Sequence, residues 1–308
     1  MILCCGEALI DMIPFPTEAG RDGFVPFPGG AVFNTAIALG RLGVPAGLLT
    51  GLSTDLFGQT IRTALKESGV DAAPSVVSDR PTTLAFVQLV DGQAQYQFFD
   101  ENTAGRMLEP SEMPAQVDAR AVFFGGINLA IEPCAEAYAA LLLRSARGRV
   151  VMIDPNIRPR FIRDEARYRA RLERMIALAD IVKLSDEDIG WLIPQGTLGE
   201  KVAALHAAGP SLVIITRGAE GATAWMKDGR QVTVPARKVA VADTIGAGDT
   251  FNAGVLASLD RAGVLEKGRI ARLPSAVVEE ALALGVRAAA VTVSRSGANP
   301  PWDRELPD

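Results

Sequence analysis

Short apolar runs of strand length alternate along the chain with longer segments in which apolar residues recur at helical spacing. The apolar runs lie at 1–6, 121–127, 149–154, 180–185 and 211–216. Helical segments of about ten to fifteen residues separate several of them, and one opens at Pro133 and continues to about Arg147. This alternation is typical of βαβ units. We therefore predict an α/β fold with a largely parallel central sheet and helices on both faces.

Two stretches interrupt this alternation. Residues 12–28 are rich in Pro, Gly and Phe and have no helical period. Residues 82–100 form two runs of alternating apolar and polar residues around Asp91-Gly92, a dipeptide typical of hairpin turns. We predict a small β-sheet lid built from segments at about 12–28 and 82–102, attached to a single domain that spans residues 1–308. The same pattern also fits an ordinary extension of the sheet edge.

Composition restricts the chemistry. The chain has 308 residues, 48% of them hydrophobic, and a net charge of −5. Three cysteines, Cys4, Cys5 and Cys134, and the single histidine, His206, exclude a disulfide framework and zinc sites built from several His and Cys residues. We expect reduced thiols, a dispensable His206, and catalysis by carboxylates, backbone amides and bound ions.

The charge pattern and the N-terminus indicate where the protein acts. No basic tail or patch indicates nucleic acid, and the arginines of 158–174 lie among apolar residues at helical spacing, which favours a solvated amphipathic helix. The first apolar run has no basic residue before it and no small-residue cleavage site after it, as is typical of a first strand. The longest uncharged stretch, 23–40, contains two prolines and four glycines, which a lipid-exposed helix would not carry together. We expect a cytoplasmic protein that contacts neither membrane nor nucleic acid.

The strongest local motif is the nonapeptide Asp243–Phe251, which is followed by an apolar helical run. Gly246 and Gly248 permit a tight loop whose backbone N–H groups turn inward, and the next helix adds the positive end of its dipole. Such a loop is suited to phosphate oxygens. Asp249 would repel a phosphate and is better suited to accept the proton of a substrate hydroxyl. A Gly-rich turn with an aspartate cap is the alternative.

A second Gly-rich element, Gly29-Gly30, opens a predicted helix that ends between Gly40 and Gly43. The paired glycines allow a polyol to approach the backbone, and Asn34 can both donate to and accept from hydroxyls. No Gly-Lys-Ser/Thr occurs, and no G-x-G-x-x-G follows the first strand, which argues against P-loop and standard dinucleotide sites.

These motifs together resemble the ribokinase-like (PfkB) carbohydrate kinase family, and within it the bacterial fructokinase group. Gly6–Asp11 is similar to the family's first strand, whose terminal aspartate holds sugar hydroxyls. Gly29-Gly30 with Asn34 is similar to the N-terminal signature, and 51–58 resembles a G-x-x-x-D-x-x-G stretch that we interpret as structural. The segment 243–251 is similar to the highly specific C-terminal signature D-T-x-G-A-G-D-[ST]-F. The resemblance covers essentially the whole chain and implies a ribokinase-like fold.

The resemblance implies phosphoryl transfer from ATP to a primary hydroxyl of a sugar, with D-fructose converted to fructose 6-phosphate as the expected reaction. Asp249 would be the base, and the amides of Gly246, Ala247 and Gly248 would form the anion hole. The residues assigned to the sugar are Asp11, Gly29, Gly30, Asn34, Phe98 and Arg158. The alternative interpretation of Arg158 is a place in the solvated arginine helix.

Cofactors and a partner are also implied by the resemblance. The turn Thr216–Gly221 resembles the family's T-x-G-x-x-G turn under the nucleotide. The residues assigned to ATP are Lys183, Thr216, Gly218, Gly221, Gly246, Gly248 and Asn252.

Glu187 and Asp188 lie where the family has N-x-x-E, a motif that orders Mg²⁺ through water. Here Asp188 replaces the Glu of the motif, so either Glu187 takes that role or the metal geometry shifts. A monovalent cation such as K⁺, bound by Asp243 and the Ile245 carbonyl, and a homodimer through the lid are further expectations.

Other functions remain open on the sequence. A 2-keto-3-deoxygluconate kinase is the first alternative, followed by ribokinase and adenosine kinase. Tyr96, Phe98 and Arg158 would discriminate, because an acidic sugar needs a cation facing its carboxylate and adenosine needs aromatic walls. The non-enzyme alternative is a sugar-sensing homologue without turnover, against which the intact Asp249 and loop argue.

Overall fold

The computed structural model describes residues 1–18, 20–90 and 93–307. Within them lie a nine-stranded sheet with a helical layer on each side, a four-stranded sheet, and a two-stranded sheet formed by residues 51–53 and 76–78. The strands are β1 (Ile2–Cys5), β2 (Leu9–Pro16), β3 (Asp22–Gly29), β4 (Ala46–Leu49), β5 (Gly51–Ser53), β6 (Val70–Asp71), β7 (Val76–Ser78), β8 (Leu84–Val90), β9 (Gln93–Phe99), β10 (Ala121–Gly125), β11 (Val150–Asp154), β12 (Ile181–Ser185), β13 (Leu212–Thr216), β14 (Ala222–Met226) and β15 (Gln231–Val234). The α-helices are α1 (Ala31–Arg41), α2 (Leu56–Glu67), α3 (Cys134–Ser145), α4 (Glu165–Ile176), α5 (Asp186–Leu192), α6 (Leu198–Ala208), α7 (Ala247–Arg261) and α8 (Ser275–Val293).

The larger sheet has the order β15-β14-β13-β12-β11-β10-β1-β4-β6. Every neighbouring pair from β13 to β6 is parallel, and β14 and β15 pair antiparallel at one edge. The predicted largely parallel sheet is confirmed. The chain reverses its direction across the sheet at β1, because β4 lies on one side of it and β10 on the other. Ligands of open parallel sheets bind outside the carboxyl ends of the strands at such a reversal.

Helices cover both faces of this sheet, as predicted. One face packs against α1, α2, α7 and α8, and the other packs against α3, α4, α5 and α6. The adjacent Cys4 and Cys5 of β1 belong to the two opposite cores, and both thiols are free, as is that of Cys134. Among the described residues, no helix is both long and apolar enough to cross a membrane.

The two irregular stretches of the sequence form the second sheet, with the order β3-β2-β8-β9. The predicted hairpin is present as antiparallel pairing of β8 with β9, whereas its turn at Asp91-Gly92 lies outside the described residues. The ring of Phe98 in β9 meets that of Phe161, beyond the end of β11, edge to face at 4.5 Å between centroids. The small sheet therefore extends over the carboxyl edge of the large one.

Asp55 supports the structural interpretation of the 51–58 stretch. Its Oδ1 caps α2 by accepting from Gly58 N at 2.7 Å and also accepts from Thr82 Oγ1 at 2.7 Å, while Oδ2 accepts from Thr82 N at 2.8 Å. One carboxylate thus fixes both the start of α2 and the segment that leads into β8.

The arginine-rich segment differs from its prediction. The helix begins only at Glu165, so Arg158 lies in the preceding loop, and Arg171 is 1% exposed instead of facing solvent. Arg171 donates to Leu129 O and to Glu136 Oε1, each at 2.9 Å, and forms an ion pair with Glu132. A guanidinium can be buried here because carboxylates and a carbonyl accept its hydrogen bonds. The predicted amphipathic helix is therefore present from Glu165 onward, but the expectation that its arginines are solvated was wrong for Arg171.

Replacing Arg171 with Ala should lower the free energy of unfolding by about 3 kcal/mol, because the change removes a buried cation that joins α4 to the 129–136 segment. Urea denaturation of the purified protein measures this loss. Arg174→Ala is the matched control, since this side chain is 66% exposed; its effect should stay within about 0.5 kcal/mol. Equal effects of the two substitutions would contradict the structural role of Arg171.

Candidate active site

The Gly-rich loop of the C-terminal motif leads directly into α7. Gly246 is the N-cap and has φ +77°, and a Cβ at this position would lie 2.8 Å from the Cβ of Ala298. Glycine is therefore required both by backbone conformation and by space. The loop brings the first-turn amides of α7 to the carboxyl edge of the sheet, where the helix dipole is positive. Of these amides, Ala247 N lies 3.3 Å from Thr244 O.

Asp249 lies in the first turn of α7 and is 8% exposed. Its Oδ2 accepts a hydrogen bond from Asn34 Nδ2 at 2.9 Å, and its backbone oxygen accepts one from Thr35 Oγ1 at 3.2 Å. Burial raises the pKa of Asp249 to about 7, the Asn34 hydrogen bond lowers it, and the nearby carboxylate of Asp154 raises it. A carboxylate with this pKa can accept a proton near neutral pH.

A buried ion pair lies beside this loop. Lys183 of β12 donates to Asp154 Oδ2 of β11 at 2.9 Å, and Asn252 Nδ2 of α7 donates to the same oxygen at 2.7 Å. A Cβ at Gly248 would lie 3.4 Å from Lys183 Nζ, so the ammonium is adjacent to the predicted anion hole. Sequence reasoning missed Asp154. Its position as a polar residue ending an apolar strand was the available signal.

The N-terminal motif lies across from Asp249. Asp11 of β2 is partly buried, which raises its pKa to about 6, and its Oδ2 would lie 2.2 Å from a Cβ at Gly29. Gly30 has φ +109° and precedes α1, which carries Asn34 in its first turn. The structure therefore brings the predicted sugar residues Asp11, Gly29, Gly30 and Asn34 to one region. Asn34 is also hydrogen-bonded to Asp249, which the sequence did not indicate.

A cavity of about 570 Å³ opens beside the Gly-rich loop, and most of its lining is apolar. It is lined by the predicted residues Thr216, Gly218, Gly221 and Gly248, together with Ala247. Phe251, the last residue of the nonapeptide, also lines it. Further walls come from the 236–241 segment and from Val286, Ala289, Ala290 and Val293, which the sequence analysis did not identify. The predicted residues Lys183, Gly246 and Asn252 are not among its lining residues: Gly246 belongs to the loop itself, and Lys183 and Asn252 lie beside it. A flat apolar ring with a polyphosphate directed at α7 fits this shape.

Phe98 and Arg158 lie near each other through the Phe98–Phe161 contact, since Phe161 N donates to Arg158 O at 2.9 Å. The Arg158 side chain is exposed, and its Nη1 donates to Ile157 O at 3.1 Å. The side chain of Tyr96, the other predicted discriminator, lies outside the described residues.

The predicted metal residues occupy different environments. Asp188 Oδ2 accepts from Ser185 N at 3.1 Å within the capping box of α5, and its Oδ1 accepts from Ile157 N at 2.9 Å in the loop after β11, so both oxygens already have protein donors. Glu187 is exposed. Within residues 1–18, 20–90 and 93–307, no cluster of three or more His, Cys, Asp or Glu residues forms a metal cage. An exposed Glu187 fits a Mg²⁺ that is held mainly by phosphates and water.

Asp243 fixes the Gly-rich loop from within. Its Oδ1 accepts from Ile245 N at 3.1 Å, and its Oδ2 accepts from Gly297 N at 3.0 Å. The carboxylate therefore joins the loop to the segment that follows α8. The predicted role of Asp243 and Ile245 toward a monovalent cation stays a prediction.

The whole chain, including these site residues, is similar to proteins of a known family. The model of the pfkB family carbohydrate kinases matches residues 1–305. The chain belongs to this family. It is 53% identical over 274 residues to a fructokinase from Rhizobium leguminosarum bv. trifolii, covering 89% of this chain and 84% of the relative. It is 32% identical to a fructokinase from Klebsiella pneumoniae over 84% of each chain.

Solved structures of the family share the fold of this kinase. A Xylella fastidiosa fructokinase with bound ATP is 27% identical and has a TM-score of 0.88, covering 96% of this chain and 93% of that one. A double mutant of the Vibrio cholerae fructokinase, with fructose, ADP and a potassium ion bound, is 25% identical and has a TM-score of 0.84, with the same coverage. The predicted family, fold class and enzyme class are confirmed.

Replacing Gly246 with Ala in this kinase should weaken ATP binding at least tenfold, because the added Cβ meets Ala298 and displaces the first turn of α7. Isothermal titration calorimetry measures the binding. Gly263→Ala is the matched control, because Gly263 has φ +66° but no atom within 4 Å of its Cβ position. Both variants should carry about 1 kcal/mol of backbone strain, so an equal loss of ATP affinity in both would contradict a specific role of the loop.

Proposed function

We propose that this carbohydrate kinase is an ATP-dependent fructokinase that transfers the γ-phosphate of ATP to the primary 6-hydroxyl of D-fructose. The observation that carries the proposal is the position of Asp249. This carboxylate lies between the apolar cavity that begins at Ala247 and Gly248 and the polar region formed by Asp11, Gly29 and Asn34. Relatives that cover most of the chain carry the name fructokinase, which supports fructose as the sugar.

Asp249 is the proposed base. Its Oδ1 or Oδ2 takes the proton of the sugar hydroxyl, whose oxygen forms a bond to the γ-phosphorus while the bond from that phosphorus to the bridging oxygen of ADP breaks. The amides of Gly246, Ala247 and Gly248 would stabilise the charge on the transferred group at the positive end of α7. Because Ala247 N is 3.3 Å from Thr244 O, this amide would exchange a weak contact for the phosphate.

The remaining predicted residues have matching roles in the proposal. Asp11, Gly29, Gly30 and Asn34 would bind sugar hydroxyls, with Phe98 and Arg158 at the edge of the small sheet. Thr216, Gly218 and Gly221 would contact the nucleotide. Lys183 and Asn252 would act from beside the loop, where Lys183 places a positive charge near Gly248.

We further propose that Mg²⁺ accompanies ATP and that K⁺ binds near Asp243 and the Ile245 carbonyl. Bound Mg²⁺ would neutralise charge on the phosphates, and Glu187 would order its water ligands. The potassium ion in the Vibrio cholerae relative supports the second expectation. A cytoplasmic location agrees with three unpaired thiols among the described residues and with the use of ATP.

An acidic sugar is the alternative substrate, and it would need a free cation. Arg106 lines a crevice beside Glu7 but forms an ion pair with Asp100 at 3.0 Å and also donates to Glu132 O at 3.1 Å. The charge of Arg106 is therefore already compensated, so Arg158, which is exposed and donates to the carbonyl of Ile157, is the cation that an acidic sugar would use.

A coupled ADP-release assay with MgATP and a panel of fructose, ribose, adenosine and 2-keto-3-deoxygluconate tests the proposal. We expect the highest kcat/KM for fructose, and loss of turnover in Asp249→Ala by at least about a thousandfold with ATP affinity largely kept. The control is Asp228→Ala, an exposed carboxylate in the turn between β14 and β15, which should retain full activity. Preference for another sugar would refute the fructokinase assignment, and an active Asp249→Ala protein would refute the mechanism.

We also propose a homodimer in which a second copy of the chain covers the small sheet. Phe24, Phe86 and Phe99 form a continuous row of edge-to-face rings, with centroids 4.9 and 5.4 Å apart. Phe24 and Phe99 are 45% and 52% exposed. Exposed aromatic rows of this kind are typical of protein contacts.

Light scattering after size exclusion tests the dimer. The wild type should have twice the chain mass of 32.5 kDa, and the double variant Phe24→Ser, Phe99→Ser should be monomeric. Leu143→Ser is the control, because this residue is 58% exposed on α3, away from the small sheet. A monomeric wild type, or a double variant that remains dimeric, would refute this interface.

A further inference from the structure

Glu7 is a buried carboxylate at the point where the chain reverses its direction across the large sheet. It follows β1 closely and is 5% exposed. Its Oε1 accepts a hydrogen bond from Ala31 N at 3.0 Å, and its backbone oxygen accepts one from Phe33 N at 3.1 Å. Both donors are first-turn amides of α1, so a residue outside the helix satisfies groups that would otherwise lack partners.

Helix α1 has no cap of its own. Its N-cap is Gly30, which has no side chain, and its first turn contains no acidic residue. The carboxylate of Glu7 therefore supplies both the acceptor and the negative charge that a helix N-terminus favours. The cap comes from 24 residues earlier in the chain.

Two glycines with positive φ fit closely around Glu7. A Cβ at Gly30 (φ +109°) would lie 3.0 Å from Glu7 Cγ, and a Cβ at Gly126 (φ +73°) would lie 2.1 Å from both carboxylate oxygens. The turns that follow β3 and β10 therefore leave room for this side chain and for little else.

The same helix holds Asp249. Asn34 and Thr35, in the first turn and a half of α1, donate to the side chain and the backbone oxygen of Asp249. A displacement of the N-terminus of α1 would therefore move both donors.

We propose that Glu7 is a positioning residue for phosphoryl transfer: it holds the N-terminus of α1, and α1 holds Asp249 through Asn34 and Thr35. The inference rests on the proposed role of Asp249 as the base. Glu7 itself touches neither the sugar nor the nucleotide in this scheme, and it acts through the helix.

The charges around Asp249 give this role a measurable signature. Asp154 of β11 and Glu7 beyond β1 raise the pKa of Asp249, in addition to burial, whereas Asn34 of α1 and Lys183 of β12 lower it. For Glu7, burial raises its own pKa, and the backbone N–H groups of Ala31, Asn128 and Ile127 lower it. Removing the charge of Glu7 should therefore lower the pKa of Asp249, so that the base stays deprotonated to lower pH.

The experiment compares Glu7→Gln, which removes the charge, with Glu7→Asp, which keeps the charge but shortens the side chain by one methylene. In Glu7→Gln we expect kcat for fructose to fall by about ten- to a hundredfold and KM for ATP to stay within twofold. The acid limb of kcat/KM should move to lower pH from its wild-type position near pH 7. In Glu7→Asp we expect a similar loss of kcat with the acid limb unmoved. Glu67→Gln, an exposed residue that ends α2, is the control and should match the wild type.

Two results would overturn the inference. One is wild-type kcat and pH profile in Glu7→Gln. The other is a loss of kcat that parallels the loss of thermal stability in the two variants, while the acid limb of kcat/KM stays at its wild-type pH in both. That pattern would indicate only a structural role for Glu7. A carboxyl NMR titration of Asp249, assigned with Asp249→Asn, follows the same shift without sugar or ATP. If the wild type phosphorylates no ketose, the proposed function fails, and the titration still decides whether Glu7 controls the state of Asp249.

Discussion

The hydrogen bond from Asn34 to Asp249 joins two helices whose contributing residues are 215 positions apart in the sequence. Helices α1 and α7 lie on the same face of the large sheet and bring their N-termini to its carboxyl edge. Asn34, one of the predicted sugar residues, belongs to the first of these helices, and the Gly-rich loop leads into the second. The geometry of the active site therefore depends on how closely these two N-termini are held together.

Close packing of small residues makes that arrangement rigid. Gly254 of α7 faces Gly285 of α8, and a Cβ at Gly254 would lie 2.6 Å from the Cα of Gly285. A Cβ at Gly285 would in turn lie 2.8 Å from the ring of Phe251. Helix α7 thus cannot move away from α8 without losing buried contact area. Because Phe251 also lines the cavity proposed for the nucleotide, the same contact fixes one wall of that cavity.

The sequence predicted the features that repeat or are local. Strand-length apolar runs and helical periods predicted the parallel sheet and its two helical layers, and the glycine loops predicted the elements that meet at the site. Contacts between single side chains that lie far apart in the sequence could not be predicted from such patterns. Asp154 meets Asn252 across 98 positions, and Arg171 meets Glu132 across 39. Arginine on an amphipathic pattern normally faces water, and only tertiary contacts reveal that this one does not.

The single histidine of the chain, His206, lies away from the proposed active site, so the burial of Asp249 decides how strong a base is present there. Nδ1 of His206 lies 2.9 Å from Pro210 O at the end of α6, which packs on the face of the large sheet opposite to α7. The proposed proton acceptor is therefore a carboxylate, whose ordinary pKa of 3.8 would make it too weak a base near neutral pH. Burial raises that pKa to about 7, into the range of histidine. The hydrogen bonds from α1 offset part of the cost of burying the carboxylate without fully reversing the shift. The basicity of Asp249 is therefore a property of the closed packing between α1 and α7, and any change that admits water there should make the carboxylate a weaker base.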